Sequence, residues 1–427
     1  MARSRFWNYE IALLIMMSAA NGVVAMDRLA LNVLSPYIIP EFHLSNTQLG
    51  LLASGISITI AISGYLLSSL ADSTRRRKTI LLITLVLFSI FSAFSGLAVS
   101  FAVLLAARML LGLAEGPICA IGQSIVAIES PEERRGFNMG VMQNLGAAVL
   151  GMTLGPILLT QIAGAVGWRM AFFASCVPGL ILAACIYIWV RPINEAPPGA
   201  APVRSVLPDA GKEDGVLSIF RSKNLNLCLV IAGLFSAWLI VIGAFLPRYL
   251  NEVDGFKPTD IGLLIGLAGP SAAISGILAP WLSDRIGRRP VLAMMTAFGV
   301  VLPLAVLYVH GPFLILLLAL FIGGLGGGAG PLYVAIIPAE AVPRRHVATA
   351  VALSLASGEI VGGVIGPFVA GRAADMVGLA APFWIGFGCA AVCAVLSLFL
   401  DETAPSKRKP VVVLDAPGMV TDVQLPS

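Results

Sequence analysis

Composition, segment length and an internal duplication together specify an all-α integral membrane protein of twelve transmembrane helices in two pseudo-symmetric six-helix halves. Of 427 residues, 58% are hydrophobic and only 12% charged, and mean hydropathy is +0.92. Soluble globular chains carry about 25% charged residues. The apolar runs are roughly 20 residues long and do not alternate, so they fit helices crossing a ~30 Å core rather than barrel strands. Finally, a polar string occurs twice between long apolar runs: Ala71-Asp72-Ser73-Thr74-Arg75-Arg76-Arg77-Lys78 and Ser283-Asp284-Arg285-Ile286-Gly287-Arg288-Arg289. Aligning Asp72 with Asp284 lays Arg76 and Arg77 on Arg288 and Arg289, half a chain length away. Duplication at that period marks membrane proteins built from repeats.

The first half contains runs at 11–37, 47–70, 79–98, 101–127, 137–163 and 168–190. The second contains 225–249, 259–282, 290–309, 312–337, 347–370 and 379–400. Residues 1–190 and 225–400 are therefore the expected halves. Between them, 191–224 holds Pro197-Pro198-Gly199 and scattered charge and reads as a cytoplasmic linker. The polar tail 401–427 reads as disordered and cytoplasmic. The first run is too long for a signal-peptide core and holds Asp27 and Arg28 within it. About 21 of the 27 Lys and Arg fall in alternate loops and at the two ends, which by the positive-inside rule places both termini in the cytoplasm.

Those basic clusters are topology signals, so no nucleic-acid partner is expected. Cys119, Cys176, Cys185, Cys228, Cys389 and Cys393 lie in apolar runs without ligand spacing, and read as buried thiols. His43, His310 and His346 fall in loops or at helix ends and make no metal pair. No metal or cofactor is expected. With no nucleophile–base constellation in the spans, neither is an enzyme.

The halves match further: Gly116-Pro117 with Gly330-Pro331, Gly155-Pro156 with Gly366-Pro367, and the loop Glu129 to Arg135 with Glu340 to Arg345. On these motifs the chain resembles the major facilitator superfamily over nearly its whole length. Met26-Asp27-Arg28-Leu29, the run Leu44 to Gly50, the run Arg108 to Gly116, and Phe245-Leu246-Pro247-Arg248-Tyr249-Leu250 resemble the anion:cation symporters. The Asp-Arg pair and the loop Leu70 to Lys78 are also similar to spinster-like carriers. The resemblance implies a secondary carrier of the inner (plasma) membrane. It would import a small organic anion, such as a sugar acid or another carboxylate, with protons as the coupling ion. A monomer in the lipid bilayer is expected.

Five charged residues lie inside apolar runs: Asp27, Arg28, Arg108, Glu115 and Glu359. Each costs about 2.5–3.5 kcal/mol at a helix centre, so the set must pair or face a cavity. Arg108 and Glu115 are seven residues apart and share a helix face, which Gly112 and Gly116 are expected to keep open. Asn21, Arg28, Asn32 and Ser35 form a polar stripe on the first helix, with Asp27 about 100° away. Two such stripes suggest a central aqueous cavity, with Arg28 and Arg108 for an anion and Asp27 and Glu115 for a proton. An anion at either Arg would withdraw positive charge from the neighbouring carboxylate and favour its protonation. The competing reading is a static pair of ion bridges locking the helices.

Glu359, amid Ala352, Gly362, Gly363 and Gly366, is either a structural Glu at a close helix contact or a second proton site. Tyr65, Gln143 and Asn144 are further candidate substrate contacts. Asp72, Arg76 and Arg77, with Asp284, Arg285, Arg288 and Arg289, read as gate latches by analogy. The run Gly323 to Pro331 suggests bending during gating or close packing. Rival functions are a proton-driven exporter, from a partial fifth-helix antiporter motif at Gly151 to Pro156, and a spinster-like lipid carrier. A non-transporting sensor of the same fold is a third.

Overall fold

The computed structural model describes residues 2–74, 76–131, 134–191, 216–343, 346–404 and 407. Most of the expected linker and tail, Arg75, and the side chain of Asp72 lie outside the described residues. Each expected run is a helix, and no strand occurs among the described residues. In order they are α1 (Tyr9–Phe42), α2 (Asn46–Ala71), α3 (Arg77–Gly96), α4 (Phe101–Glu129), α5 (Phe137–Val166) and α6 (Trp168–Trp189). The second half has α7 (Lys223–Glu252), α8 (Pro258–Ile286), α9 (Arg288–Tyr308), α10 (Phe313–Ala341), α11 (Thr349–Val377) and α12 (Ala381–Ser397). The last, at 17 residues, is the shortest and still meets the lower limit of about 17 for a span.

The turns repeat with the helices. Gly167 (φ 94°) joins α5 to α6, and Gly378 (φ 100°) joins α11 to α12, both in a region that side chains with a Cβ avoid. α1 continues through Pro36 and Pro40. Pro36 cannot donate to the carbonyl of Asn32, and the Ser35 hydroxyl does so instead at 2.7 Å.

The Gly-Pro repeats have two structural outcomes. α5 widens into a π-helical segment at Ala147–Leu154 and α11 at Gly358–Ile365, each directly before its Gly-Pro. Proline lacks the N–H and crowds the carbonyl four residues back, so the ladder re-registers upstream. The other pair does not match: α4 runs through Gly116-Pro117 as continuous α-helix, whereas α10 breaks into 3₁₀ at Leu325–Ala329 and π at Leu332–Ile336. α10 carries a run of glycines there and α4 does not.

Small residues set the helix contacts. A Cβ on Gly146 would lie 1.7 Å from the Ser18 carbonyl oxygen, and one on Gly151 2.5 Å from the Ala25 side chain, so α5 lies directly on α1. The same contact recurs where a Cβ on Gly362 of α11 would lie 2.4 Å from Ser236 of α7. Gly112 and Gly116 do not open a face as expected. They seat α4 against Thr59 and Ser63 of α2, whose side-chain oxygens would lie 2.2 Å from the added carbons. In α10, Gly323, Gly324 and Gly326 press on Leu302, Ser271 and Gly299, so close packing accounts for them.

The halves meet along two seams. On one, α11 approaches α2 through Gly371 and Asn46, Pro367 and Gly50, Val364 and Ser54, and Gly363 and Ser57. Asp375 of α11 accepts hydrogen bonds from the backbone N–H of Asn46 (2.8 Å) and Thr47 (2.9 Å) and from the Thr47 hydroxyl (2.5 Å). It thereby caps the first turn of α2 from the opposite half. On the other seam, Thr160, Ile157 and Met152 of α5 meet Gly262, Gly266 and Gly269 of α8. Both seams lie away from the end bearing Arg76, Arg134 and Arg288. Toward that basic end Arg28, Gln143 and Asn144 are exposed, and the described residues leave the molecule open there.

The basic end is braced within each half. Buried Glu10 accepts from Arg134 (2.9 Å) and Asn138 (2.7 Å). Arg288 donates to Asp284 (2.6 Å), Ser283 (2.6 Å) and Glu340 (2.8 Å), and Glu402 caps α9 by accepting from the Arg288 N–H at 2.7 Å.

A bulky residue cannot replace Gly146 without moving α5 off α1. Gly146→Leu should lower stability by about 3 kcal/mol or abolish folding, while Gly330→Ala, which meets open space, should change it by less than about 1 kcal/mol. Thermal unfolding of both variants in detergent measures the contrast.

Candidate functional site

Asp27 and Arg28 are adjacent on α1, so their side chains leave the helix about 100° apart and reach different surroundings. Asp27 is fully buried. Its Oδ2 accepts from Arg108 Nη1 of α4 at 2.8 Å, and its Oδ1 accepts from the hydroxyls of Ser92 on α3 and Ser175 on α6, the latter at 3.2 Å. The two hydroxyls are 2.8 Å apart. Arg108, also 0% exposed, lies over the Phe172 ring of α6 at 4.5 Å. Four helices thus enclose one ion pair. The expectation that both guanidiniums line an aqueous cavity is corrected for Arg108, which packing against Phe172 and pairing with Asp27 seal away.

Arg28 turns the other way. Its side chain is 46% exposed and donates through Nε to Oε1 of Glu115 on α4. Glu115 is 2% exposed and its Oε2 has no hydrogen-bond partner among the described residues. The two ion pairs cross from α1 to α4: first residue with Arg108, second with Glu115, as the shared face of α4 allows. A polar track continues toward the basic end. Glu115, Cys119 and Gln123 recur every four residues on α4, and Gln123 Nε2 donates to Gln143 Oε1 of α5 at 2.7 Å. Asn21 Nδ2 donates to the Gln143 carbonyl at 2.6 Å.

The remaining candidates are placed as follows. Asn32 lies one turn from Arg28 toward the seam, 3.8 Å from where a Cβ on Gly243 of α7 would stand. Asn144 is exposed but donates to the Gly140 carbonyl of its own helix at 3.0 Å. Tyr65 is 66% exposed, on an α2 stripe with Ile58, Ile62 and Leu66. Glu359 is half-buried in the π segment of α11, within electrostatic reach of Arg28 and Glu115. Of the latch residues, Arg288 bonds Asp284 and Glu340, Arg285 stacks on Trp281 at 3.9 Å, and the Arg289 N–H donates to Glu402 at 3.2 Å. Arg76 precedes α3 and Arg77 begins it. Arg288's bonds brace α8 to α9 and α10 within one half.

Sequence reasoning missed Ser92, Ser175, Phe172, Gln123 and Asp375. Gln123 was legible as the third member of a four-residue period with Glu115. A serine in an apolar run carries no signal of which distant carboxylate it will meet.

The second half has no copy of the charged cluster. At the offset that carries Gly151 to Gly362, Asp27 falls on Trp238. Trp238 stacks on Phe235 at 4.6 Å, which meets Tyr333 edge-on at 6.0 Å. All three rings are buried, so packed aromatic side chains fill the level that the sealed ion pair occupies in the first half. A separate cleft of about 280 Å³ between α7 and α11, lined by Leu229, Val230, Leu234 and Val361 among others, carries no charge and offers no comparable chemistry.

Comparison with known proteins agrees with this architecture. A family model described as Major Facilitator Superfamily matches residues 17–312 and 241–417. The hexuronate transporter of Bacillus subtilis (strain 168) is 28% identical over 295 residues, spanning 66% of this chain and 67% of the relative. The cis,cis-muconate transport protein of Acinetobacter baylyi (strain ATCC 33305 / BD413 / ADP1) is 26% identical over 379 residues, 85% of this chain and 87% of the relative. The fold is similar to a bacterial homologue of the human lysosomal transporter Spinster, crystallised in an inward-facing, occupied conformation. That match has TM-score 0.70 and 19% identity, covering 91% of this chain and 95% of the other.

Breaking the sealed pair strands a charge. Asp27→Leu or Arg108→Met alone should each destabilise by about 3–5 kcal/mol, whereas the double variant should recover most of that loss. A double-mutant cycle by thermal unfolding in detergent measures the coupling.

Proposed function

The chain belongs to the Major Facilitator Superfamily, and on that premise we propose that it imports a small organic anion together with protons by alternating access. One observation carries the reading: a half-exposed guanidinium, Arg28, in an open cavity, held by a carboxylate, Glu115, that is otherwise buried. A substrate carboxylate entering the cavity competes with Glu115 for Arg28. Once Arg28 turns to the substrate, Glu115 is left as a buried carboxylate without a counter-charge. That state is costly in a low-dielectric site and is relieved by taking up a proton. Each ligand then favours the binding of the other by the same factor, which is the thermodynamic content of cotransport.

Asp27 and Arg108, sealed from the cavity, hold α1, α3, α4 and α6 in register so that Arg28 and Glu115 face each other. Gln143, Asn144, Asn32 and Tyr65 supply hydrogen bonds to hydroxyl or carbonyl groups of the substrate. The relatives named for hexuronate and cis,cis-muconate support a carboxylate as the cargo class.

Lys and Arg concentrate at the open end, and by the positive-inside rule that end and both termini face the cytoplasm. The protein is then a monomeric carrier of the inner membrane in an inward-open state, with substrate bound near the midplane between the halves. Outward opening requires Asp375 to leave the first turn of α2, and gating at the basic end involves the loops of Asp72 to Arg77 and Asp284 to Arg289.

In liposomes with a luminal pH dye, adding the transported acid should acidify the lumen. Arg28→Ala and Glu115→Gln should each reduce acidification at least tenfold. Proton release driven by lipophilic cations or lipids, with no response to any carboxylate, would sink symport and favour an exporter. For the gate, Asp375→Asn should speed labelling of Asn32→Cys by an impermeant maleimide added from outside severalfold, in a background whose native cysteines are replaced. Unchanged labelling would show that Asp375 does not hold that end closed.

A further inference from the structure

We infer that Glu359 makes the cavity selective for acids with one carboxylate over acids of the same skeleton with two. The inference rests on the carrier reading above and specifies its substrate class.

Among the described residues, the cavity has one accessible cation. Of the Lys and Arg, only Arg28 and Arg108 lie in the interior of the spans. Arg108 is 0% exposed, bonded to Asp27 and covered by Phe172. A substrate therefore meets a single guanidinium, able to bind one carboxylate in its planar fork.

Glu359 faces the same space from the other half. It is the first acidic residue on the open side of the contact between Gly363 and Ser57. A Cβ built on Gly363 would stand 3.0 Å from Glu359 Oε2 and 2.9 Å from Ser57 Oγ, so the carboxylate leans over Gly363 toward α2. It is only half-buried, and no hydrogen bond or ion pair joins it to a described residue. A glutamate serving to lock two helices would hold a partner on the neighbouring helix. Its charge instead reaches Arg28 and Glu115 across the gap between the halves.

These charges set a limit on the cargo. Arg28 can neutralise one carboxylate once Glu115 has taken a proton. A second carboxylate on the substrate would find no further cation and would approach Glu359, a like charge in a poorly screened site. Such a repulsive element rejects the wrong ligand while leaving contacts to the right one intact.

The test uses paired acids in liposomes bearing an imposed inward proton gradient, with protein-free liposomes subtracted: D-gluconate against D-glucarate, and 3,4-dihydroxybenzoate against 4,5-dihydroxyphthalate. Wild type should take up the monoacid of a transported pair at least tenfold faster than the diacid. Glu359→Gln should cut that ratio at least fivefold by gaining diacid uptake, and Glu359→Asp should keep it. Equal uptake of both acids by wild type, which needs no variant to fold, would overturn this inference alone. So would an unchanged ratio in a monodisperse Glu359→Gln. No uptake of either member of any pair would overturn the carrier reading and this inference with it.

Discussion

A bilayer core offers no water to a buried charge, and the N-terminal half is arranged around that constraint. Asp27 and Arg108 neutralise each other where α1, α3, α4 and α6 meet, with the Ser92 and Ser175 hydroxyls donating to the other oxygen of Asp27. The pair fixes the rotation of α1 about its own axis. With Asp27 turned into the helix junction, Arg28 has only the cavity to face, and Glu115 is the carboxylate within its reach. The exposed pair is therefore oriented by the buried one. A buried ion pair is weak evidence for net stability, because desolvation offsets much of its attraction. Its value here is geometric: it makes every other rotation of α1 leave an uncompensated charge.

The duplicated halves share a backbone and divide the chemistry. Both place a π-helical segment before a Gly-Pro, and both press that segment onto the first helix of their half through glycine. The shared cause is proline, which interrupts the ladder at the same place in each repeat. Side chains at the equivalent level then diverge. The first half has Asp27, where the second has Trp238 stacked on Phe235. Both are buried, so an ion pair and an aromatic stack fill the same level of the two halves. Glu359, in the π segment of α11, lies within electrostatic reach of Arg28 from the second half.

The two ends of the molecule differ in what joins the halves. At the closed end the ties are short and local: a carboxylate on the orphan N–H groups of a helix start, and backbone contacts through Gly50, Gly371 and Gly262. At the basic end, Glu10 and Glu340 gather arginines of their own half. Capping bonds of the Asp375 kind join the two halves, whereas the braces at the basic end stay within one half.

The twelve spans, the two halves, the repeated Gly-Pro positions and the five intramembrane charges were all legible in the sequence. Hydropathy, proline and charge act against lipid residue by residue, and no partner need be known to read them. The shared face of Arg108 and Glu115 was legible for the same reason, since helix periodicity is local. Which carboxylate each guanidinium meets was not. Asp27 lies 81 residues from Arg108 and Asp375 lies 329 from Asn46, and those meetings depend on how each helix is rotated and set in height against its neighbours. Nor could the sequence show that Gly112 and Gly116 bring α4 onto α2 instead of opening a cavity, because a glycine stripe permits either. Tertiary packing made those choices: helix rotation is fixed only when all the faces of several helices must be satisfied at once.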